Sequence, residues 1–357
     1  MTDNRKARAK HFQISKCKKG IKQRQSLNKR SKRRRKYIAS RSYVHNVSYR
    51  QQHPFSALQQ STHRLIAPAF LSISDNPDET LNFFDYVSRT VERCKRGDHL
   101  FFDLSQIVTI TPDAIMYLIA FINNAKRIRA LQISSSGNLP NDTGAKDIML
   151  KTGFYSHVKS RFQETPETDN NYMKISSGKD ADGNLASAFC DFVQEKCSQG
   201  MSGTKKLYPI IIELMTNTHQ HAYKDRLKSI MDNKWYVFAQ ADNGKVHFVF
   251  LDTGVGIPTT VKKNFFEKTK DLLVSNDSWY IESALNGDFR TETNEKYRGK
   301  GLPGIYEDAC QNAITNLCIV SGKGKCEVTG ENIKSAKLNN NFEGTLFSWD
   351  IICSKGA

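Results

Sequence analysis

The sequence predicts an α/β protein with two α/β domains in tandem behind a basic tail. Three observations carry this reading. Across residues 53–162, stretches with apolar residues at helical spacing alternate with short apolar runs, the pattern of a sheet covered by helices. Further on, residues 235–240 and 246–251 are apolar-rich runs joined by an Asn243-Gly244 pair, the strongest short-range hairpin signal in the chain. Charge is also unevenly spread: of 53 basic and 36 acidic residues, 18 basic and one acidic lie in residues 1–50, so residues 51–357 carry 35 of each. The net charge of +17 therefore belongs to the tail.

Residues 1–52 are poor in apolar side chains and cannot offset the entropy of ordering, so disorder is expected there. The densest basic run, SKRRRK at 31–36, suits contact with a polyanion, nucleic acid above all, through counterion release. Tyr37, Tyr43 and Tyr49 offer stacking surfaces, and a merely solvated tail is the competing reading.

In the first domain, residues 78–95 place Leu81, Phe84, Val87 and Val91 on one side of a helix. A strand over 99–104 follows, then an apolar helix over 111–126 with Pro112 in its first turn and Thr111 or Asp113 as cap. A strand over 131–134 and a helix over 145–152, ended by Gly153, complete the block. Residues 163–183 read as a linker, with 172–175 left open as a strand. The second domain, 184–357, begins with a helix over 185–197, broken by Gly200 and Gly203. A second helix starts at Lys205, the hairpin follows, and a helix over 279–285 ends by Gly287. Another helix starts near Leu302, and strands are expected at 317–321, 325–328 and 344–352.

The stretch IIELMTNTHQHAY, residues 211–223, sets Glu213, Asn217 and His221 along one helical face, with Ile210, Leu214 and Met215 on the other. A solvated polar face would account for that row alone. Three further stretches follow in order: LDTGVGIP at 251–258, RGKGLPGI at 298–305 and EGTL at 343–346. The set resembles the N box, two glycine boxes and closing Gly-Thr strand of the Bergerat-fold ATPases, the gyrase, MutL and histidine-kinase superfamily. The E-x-x-x-N-x-x-x-H-A-Y row is most similar to serine kinases that act as anti-sigma factors.

That resemblance implies a sandwich with helices on one face of a mixed sheet, binding ATP and Mg²⁺. It makes Glu213 the general base, Asn217 the Mg²⁺ ligand, His221 a phosphate neighbour and Asp252 the acceptor for the adenine amine. Gly254 and Gly256 would let the backbone approach the nucleotide. Gly299, Gly301 and Gly304 would approach the phosphates, with the helix at Leu302 aiming its N-terminus at them. Arg298 and Lys300 are candidate phosphate partners, and Thr345 supports the phosphates and adenine edge. Residues 259–300 correspond to a nucleotide lid, and the chain lacks the G-x-x-x-x-G-K-[ST] loop of the other large nucleotide-binding class.

Residues 101–126, FFDLSQIVTITPDAIMYLIAFINNAK, resemble the STAS fold of anti-anti-sigma antagonists. Asp113 stands where that family carries a phospho-acceptor serine, and Ala114 where it carries glycine. Helix capping suffices to explain Asp113; the functional reading is a regulatory residue that imitates the phosphorylated acceptor. The chain ends at Ala357, close to its last strand, so no transducer domain of the gyrase or MutL type is expected. The expected activity is that of a serine/threonine kinase or slow ATPase controlling a protein partner, with homodimer formation implied by the kinase resemblance. The alternative is a nucleic-acid-tethered interaction protein whose ATP site gates assembly.

No apolar run approaches the ~20 residues that span a bilayer. Eight scattered cysteines without C-x-x-C argue for reduced thiols in a cytoplasmic setting, against a disulfide framework or thiolate metal site.

Overall fold

The computed structural model describes residues 60–158, 169–197, 202–222, 231, 233–268, 276–288 and 301–353. The side chains of residues 124, 202–204, 219–222 and 263–268 are set aside. The basic tail lies outside the described residues. Ser61–Ala357 forms one compact unit.

Its first block runs β1 (Thr62–Ile66), β2 (Phe70–Leu71), α1 (Pro77–Arg93), β3 (His99–Asp103), β4 (Thr109–Ile110), α2 (Pro112–Asn124), α3 (Lys126–Ala130), β5 (Ser134–Gly137), α4 (Thr143–Lys151) and α5 (Phe154–His157). Strands pair in parallel in the order β1-β3-β5, with β2 and β4 a separate parallel pair. The predicted stripe on α1 is buried: Leu81, Phe84, Val87 and Val91 are all at most 4% exposed. Thr111 is the N-cap of α2 and Pro112 lies in its first turn, as the sequence predicts. Residues 114–121 of α2 are buried all round, which marks a central helix. The strand expected over 131–134 is displaced to β5: Leu131 caps α3 and Gln132 takes a φ of 54°, so pairing with β3 begins only at Ser134. Its sequence, SSSG, is exposed throughout and carries no apolar pattern.

The second block comprises β6 (Tyr172–Gly178), α6 (Gly183–Lys196), α7 (Ser202–Ala222), β7 (Trp235–Asp242), β8 (Lys245–Asp252), α8 (Ile257–Lys268), α9 (Asp277–Asn286), α10 (Gly301–Cys310), β9 (Thr315–Thr329) and β10 (Asn332–Ile352). The β7–β8 turn places Asn243 and Gly244 at φ 50° and 76°, as a tight primed turn requires. The expected mixed sheet is instead antiparallel at every described pairing, in the order β6-β7-β8-β10-β9. Part of the predicted linker is its edge strand, β6. Gly203 lies inside α7 instead of breaking the chain ahead of it. Gly322 and Gly324 do not divide β9, because they leave room for α9: a Cβ on Gly324 would stand 2.5 Å from the Ser278 nitrogen.

Period-two alternation gives this sheet two apolar faces. Val237, Ala239, Phe248, Phe250, Phe347 and Trp349 pack with Phe189 of α6 and with Leu207, Ile211 and Leu214 of α7. Tyr236, Phe238, Val249, Leu251, Val320 and Leu346 share a core with the first block. There the Tyr117 ring of α2 lies 4.7 Å from that of Phe342. The Glu343 N–H donates to the Tyr117 hydroxyl at 3.2 Å, and Lys325 Nζ donates to the Ser74 carbonyl at 2.6 Å. No helix among the described residues is long and apolar enough to cross a membrane.

Cys197 and Cys353 are joined as a disulfide, correcting the expectation of reduced thiols throughout; Cys94, Cys190, Cys310, Cys318 and Cys326 are free. The bond closes 156 residues and fastens the end of α6 to the end of β10.

Because the two blocks share a core, urea should unfold them in one transition, with the same midpoint from fluorescence and far-ultraviolet dichroism. Phe342→Ala, at a site 1% exposed, should lower stability by about 3–5 kcal/mol without splitting that transition. Reduction of Cys197–Cys353 should lower Tm, with an entropic ceiling near ~5 kcal/mol for a loop of this size.

Candidate nucleotide-binding site

Helix α7 is fixed by its apolar side: Leu207, Ile210, Ile211, Leu214 and Met215 are all 3% exposed or less. That burial leaves Glu213 and Asn217 half-exposed on the flank, and neither forms a hydrogen bond or ion pair among the described residues. Helix α7 packs against α10 and β10, which carry Gly301 and Thr345. Lys206 Nζ reaches the mostly buried Asp308 carboxylate at 2.8 Å and clamps α7 to α10. Glu213 Oε1 lies 3.3 Å from the place a Cβ would take on Gly301, the first residue of α10. The N box thus meets the second glycine box at a helix N-terminus, whose free N–H groups favour an anion.

Asp252 ends β8 opposite Thr345 of β10. Its carboxylate accepts the Gly254 N–H at 2.8 Å and the Thr345 hydroxyl. No cationic side chain pairs with it among the described residues; although Asp252 keeps some exposed surface, desolvation pushes its pKa up to about 6, against the opposing pull of these two donors. The backbone around it needs glycine at two points, one on β10 and one in the turn that follows Asp252. Gly344, at φ 115°, passes so close that a Cβ would stand 2.0 Å from the Asp252 carbonyl oxygen. Gly256, at φ 82°, leaves no room for a Cβ, which would meet Ser321 Oγ at 2.7 Å.

Ser321 is a site residue that sequence reasoning missed. Fully buried on β9, it donates to the Gly344 carbonyl at 2.8 Å and accepts the Ile257 N–H at 3.0 Å, binding the glycine turn to the closing strand. Thr253, also fully buried, holds the turn's other side, its N–H donating to the Lys234 carbonyl at 2.9 Å. A serine in the run CIVS gives no local sign of this role; only its register against Thr345 reveals it.

The structure therefore gathers Glu213 with Gly301, and Asp252 with Gly254, Gly256, Ser321 and Thr345. Leu302 packs on the core beside α7, and Gly304 sits half-buried one turn into α10. Arg298, Gly299 and Lys300, and the side chain of His221, lie outside the described residues.

Asp113 is placed elsewhere. It is 3% exposed and accepts the Ser74 N–H at 2.8 Å, the Ser74 hydroxyl at 2.7 Å, the Ala114 N–H at 2.6 Å and the Thr111 hydroxyl. With Asp75 it borders a cleft of about 530 Å³ that also touches Lys245, His247 and Val249. Lys245 begins β8 and Asp252 ends it, so the two are roughly 24 Å apart at ~3.4 Å per residue. Asp113 thus borders a cleft that runs along β8 from Lys245 to Val249, short of the glycine turn at its end.

A purine nucleotide with its metal fits the donor set at that turn. Asp252 accepts only a backbone N–H and a hydroxyl, and Glu213 and Asn217 form no hydrogen bond or ion pair among the described residues. Asp252 ionises against its burial, which costs stability. Its folded pKa of about 6 exceeds its unfolded value, so the native state holds the proton more tightly, and stability falls as pH rises from about 4 through 6. Asp252→Asn should therefore raise Tm at pH 8, by about 2 °C or more, and leave it unchanged at pH 4; thermal scans at both pH values measure the difference. Comparison with models of known protein families and with curated proteins finds no match to this chain.

Proposed function

We propose that the chain is an ATP- and Mg²⁺-binding protein of the Bergerat type, acting as a regulatory serine/threonine kinase or ATP-switched ATPase on a protein partner. The observation that carries this reading is Asp252: a carboxylate without a cation among the described residues, pushed up to about 6, held by the Gly254 N–H and the Thr345 hydroxyl where neighbouring glycines leave no room for a Cβ. Such a group costs stability unless a ligand supplies a donor, which an adenine exocyclic amine would do. Glu213 supports it independently, as a carboxylate beside the start of α10 that is unpaired among the described residues.

Each residue then has a task. Asp252 accepts the amine and selects adenine over guanine. The N-terminus of α10 faces the phosphates, and Asn217 offers an amide oxygen to the metal. Glu213 holds the proton of the attacking water or hydroxyl group. Mg²⁺-ATP, held by these residues, would supply the phosphoryl group and the positive charge that phosphoryl transfer needs. His221, Arg298, Gly299 and Lys300 take their places by resemblance alone. The STAS-like block, packed on the far face of the sheet, would act as a regulator in cis.

Labelled ATP and Mg²⁺, with and without cell lysate, test the proposal. Wild type should release phosphate or label a protein; label on protein identifies a kinase, and free phosphate alone an ATPase. Glu213→Ala should keep nucleotide binding within about threefold and lose turnover by ~100-fold or more. Asp252→Ala should lose binding itself. Calorimetry showing no heat with adenine nucleotides, on folded protein, overturns the reading.

A further inference from the structure

The first block holds a second constellation, remote in sequence from the glycine boxes. His63 comes from β1, Cys94 is the residue that caps α1, and Asp98 immediately precedes β3. β1 and β3 pair with Thr62 opposite His99, which brings His63 and Asp98 side by side. The His63 Nε2, Cys94 Sγ and Asp98 carboxylate oxygen all lie within 4.8 Å of one another. Cys94 and Asp98 are buried, at 3% and 5% exposure, while the His63 side chain is 31% exposed. We propose that these three residues hold a divalent ion of the zinc class, with a fourth coordination position open to solvent beside His63.

The donor chemistry selects the ion. One sulfur, one imidazole nitrogen and one carboxylate oxygen suit zinc or cobalt, whereas magnesium and calcium take oxygen ligands almost alone. Ligands of one tetrahedral ion at the usual bond lengths stand roughly 3.3–3.6 Å apart. His63 Nε2 and Asp98 Oδ2 are already 3.2 Å apart, and the sulfur, within 4.8 Å of both, is the ligand that has to close in. A thiolate and a carboxylate bring two negative charges, which a divalent ion neutralises within a mostly buried setting.

The surrounding groups already hold the ligands in place. The Lys95 N–H donates to Asp98 Oδ2 at 2.8 Å and the Ser61 N–H to Oδ1 at 3.2 Å, fixing the plane of the carboxylate. The Arg127 guanidinium donates to the carbonyls of Val91 at 2.9 Å, Glu92 at 2.7 Å and Cys94 at 3.5 Å, which fastens the end of α1 and sets a positive charge near the thiol. An ion here would tie the first described strand to the α1–β3 turn. The sequence conceals the set because His63 lies 31 residues before Cys94, and C-x-x-x-D matches no familiar metal spacing.

The test is titration of metal-stripped, full-length protein with Co²⁺, read as the intense near-ultraviolet sulfur-to-cobalt band, followed by displacement with Zn²⁺. The expected result is one ion per chain, a band abolished in Cys94→Ser, and binding weakened at least tenfold in His63→Ala. Circular dichroism checks the fold of each variant; if Cys94→Ser does not fold, His63→Ala and Asp98→Asn decide the matter by the same criterion. No band in wild type, or a band of unchanged affinity in His63→Ala, overturns the proposal and leaves Asp98 as a turn cap paired with a histidine. Adenine nucleotide binding is measured in the same samples and does not enter either outcome.

Discussion

The five-stranded sheet buries large apolar side chains on both of its faces, and much else in this molecule follows from that. A sheet with alternating side chains usually buries one side. Here Val237, Phe248, Phe250 and Trp349 face α6 and α7, while Tyr236, Phe238, Val249 and Leu251 face the first block. The strands consequently read as near-continuous apolar runs, such as VHFVFL. Solvating the second face would expose a row of large side chains, so the first block is held by the same force that folds the sheet.

This arrangement brings the first block close to the glycine turn without placing it in the turn. Tyr117 of α2 packs against the Phe342 ring and accepts the Glu343 N–H. The next residues, Gly344 and Thr345, are those that Ser321 and Asp252 engage. Burial also raises the pKa of the Glu343 carboxyl. Only two residues of β10 separate the α2 packing from the Asp252–Thr345 pair. A shift of α2 would therefore be felt at the glycine-turn end of the strand. Asp113, one turn earlier on the same helix, is committed to four internal hydrogen bonds that join the helix start to Ser74 and Thr111.

Asp252 shows what such a site requires energetically. A designer seeking stability alone would place asparagine or an apolar residue at the end of β8. The carboxylate is kept against its burial, with only a backbone N–H and a hydroxyl to soften the penalty. Glycines 256 and 344 carry a related constraint, since both adopt backbone geometry that other residues resist. Local rules are broken together at one place, which is the usual mark of a site shaped for a ligand.

Periodicity and turn chemistry by themselves determined the α/β class, the stripe on α1, the cap and proline of α2, and the Asn243-Gly244 hairpin. Each rests on neighbours within a few residues, where sequence spacing and spatial spacing agree. The row on α7 and the glycine turn were likewise legible as motifs. Only the tertiary structure decided the antiparallel order of the sheet, the start of β5 at Ser134, the bond between Cys197 and Cys353, the role of Ser321 and the meeting of His63 with Cys94 and Asp98. All of these depend on strand register or on contacts across tens to hundreds of residues. No local propensity encodes such pairings; they follow from which apolar faces can be buried against each other at once.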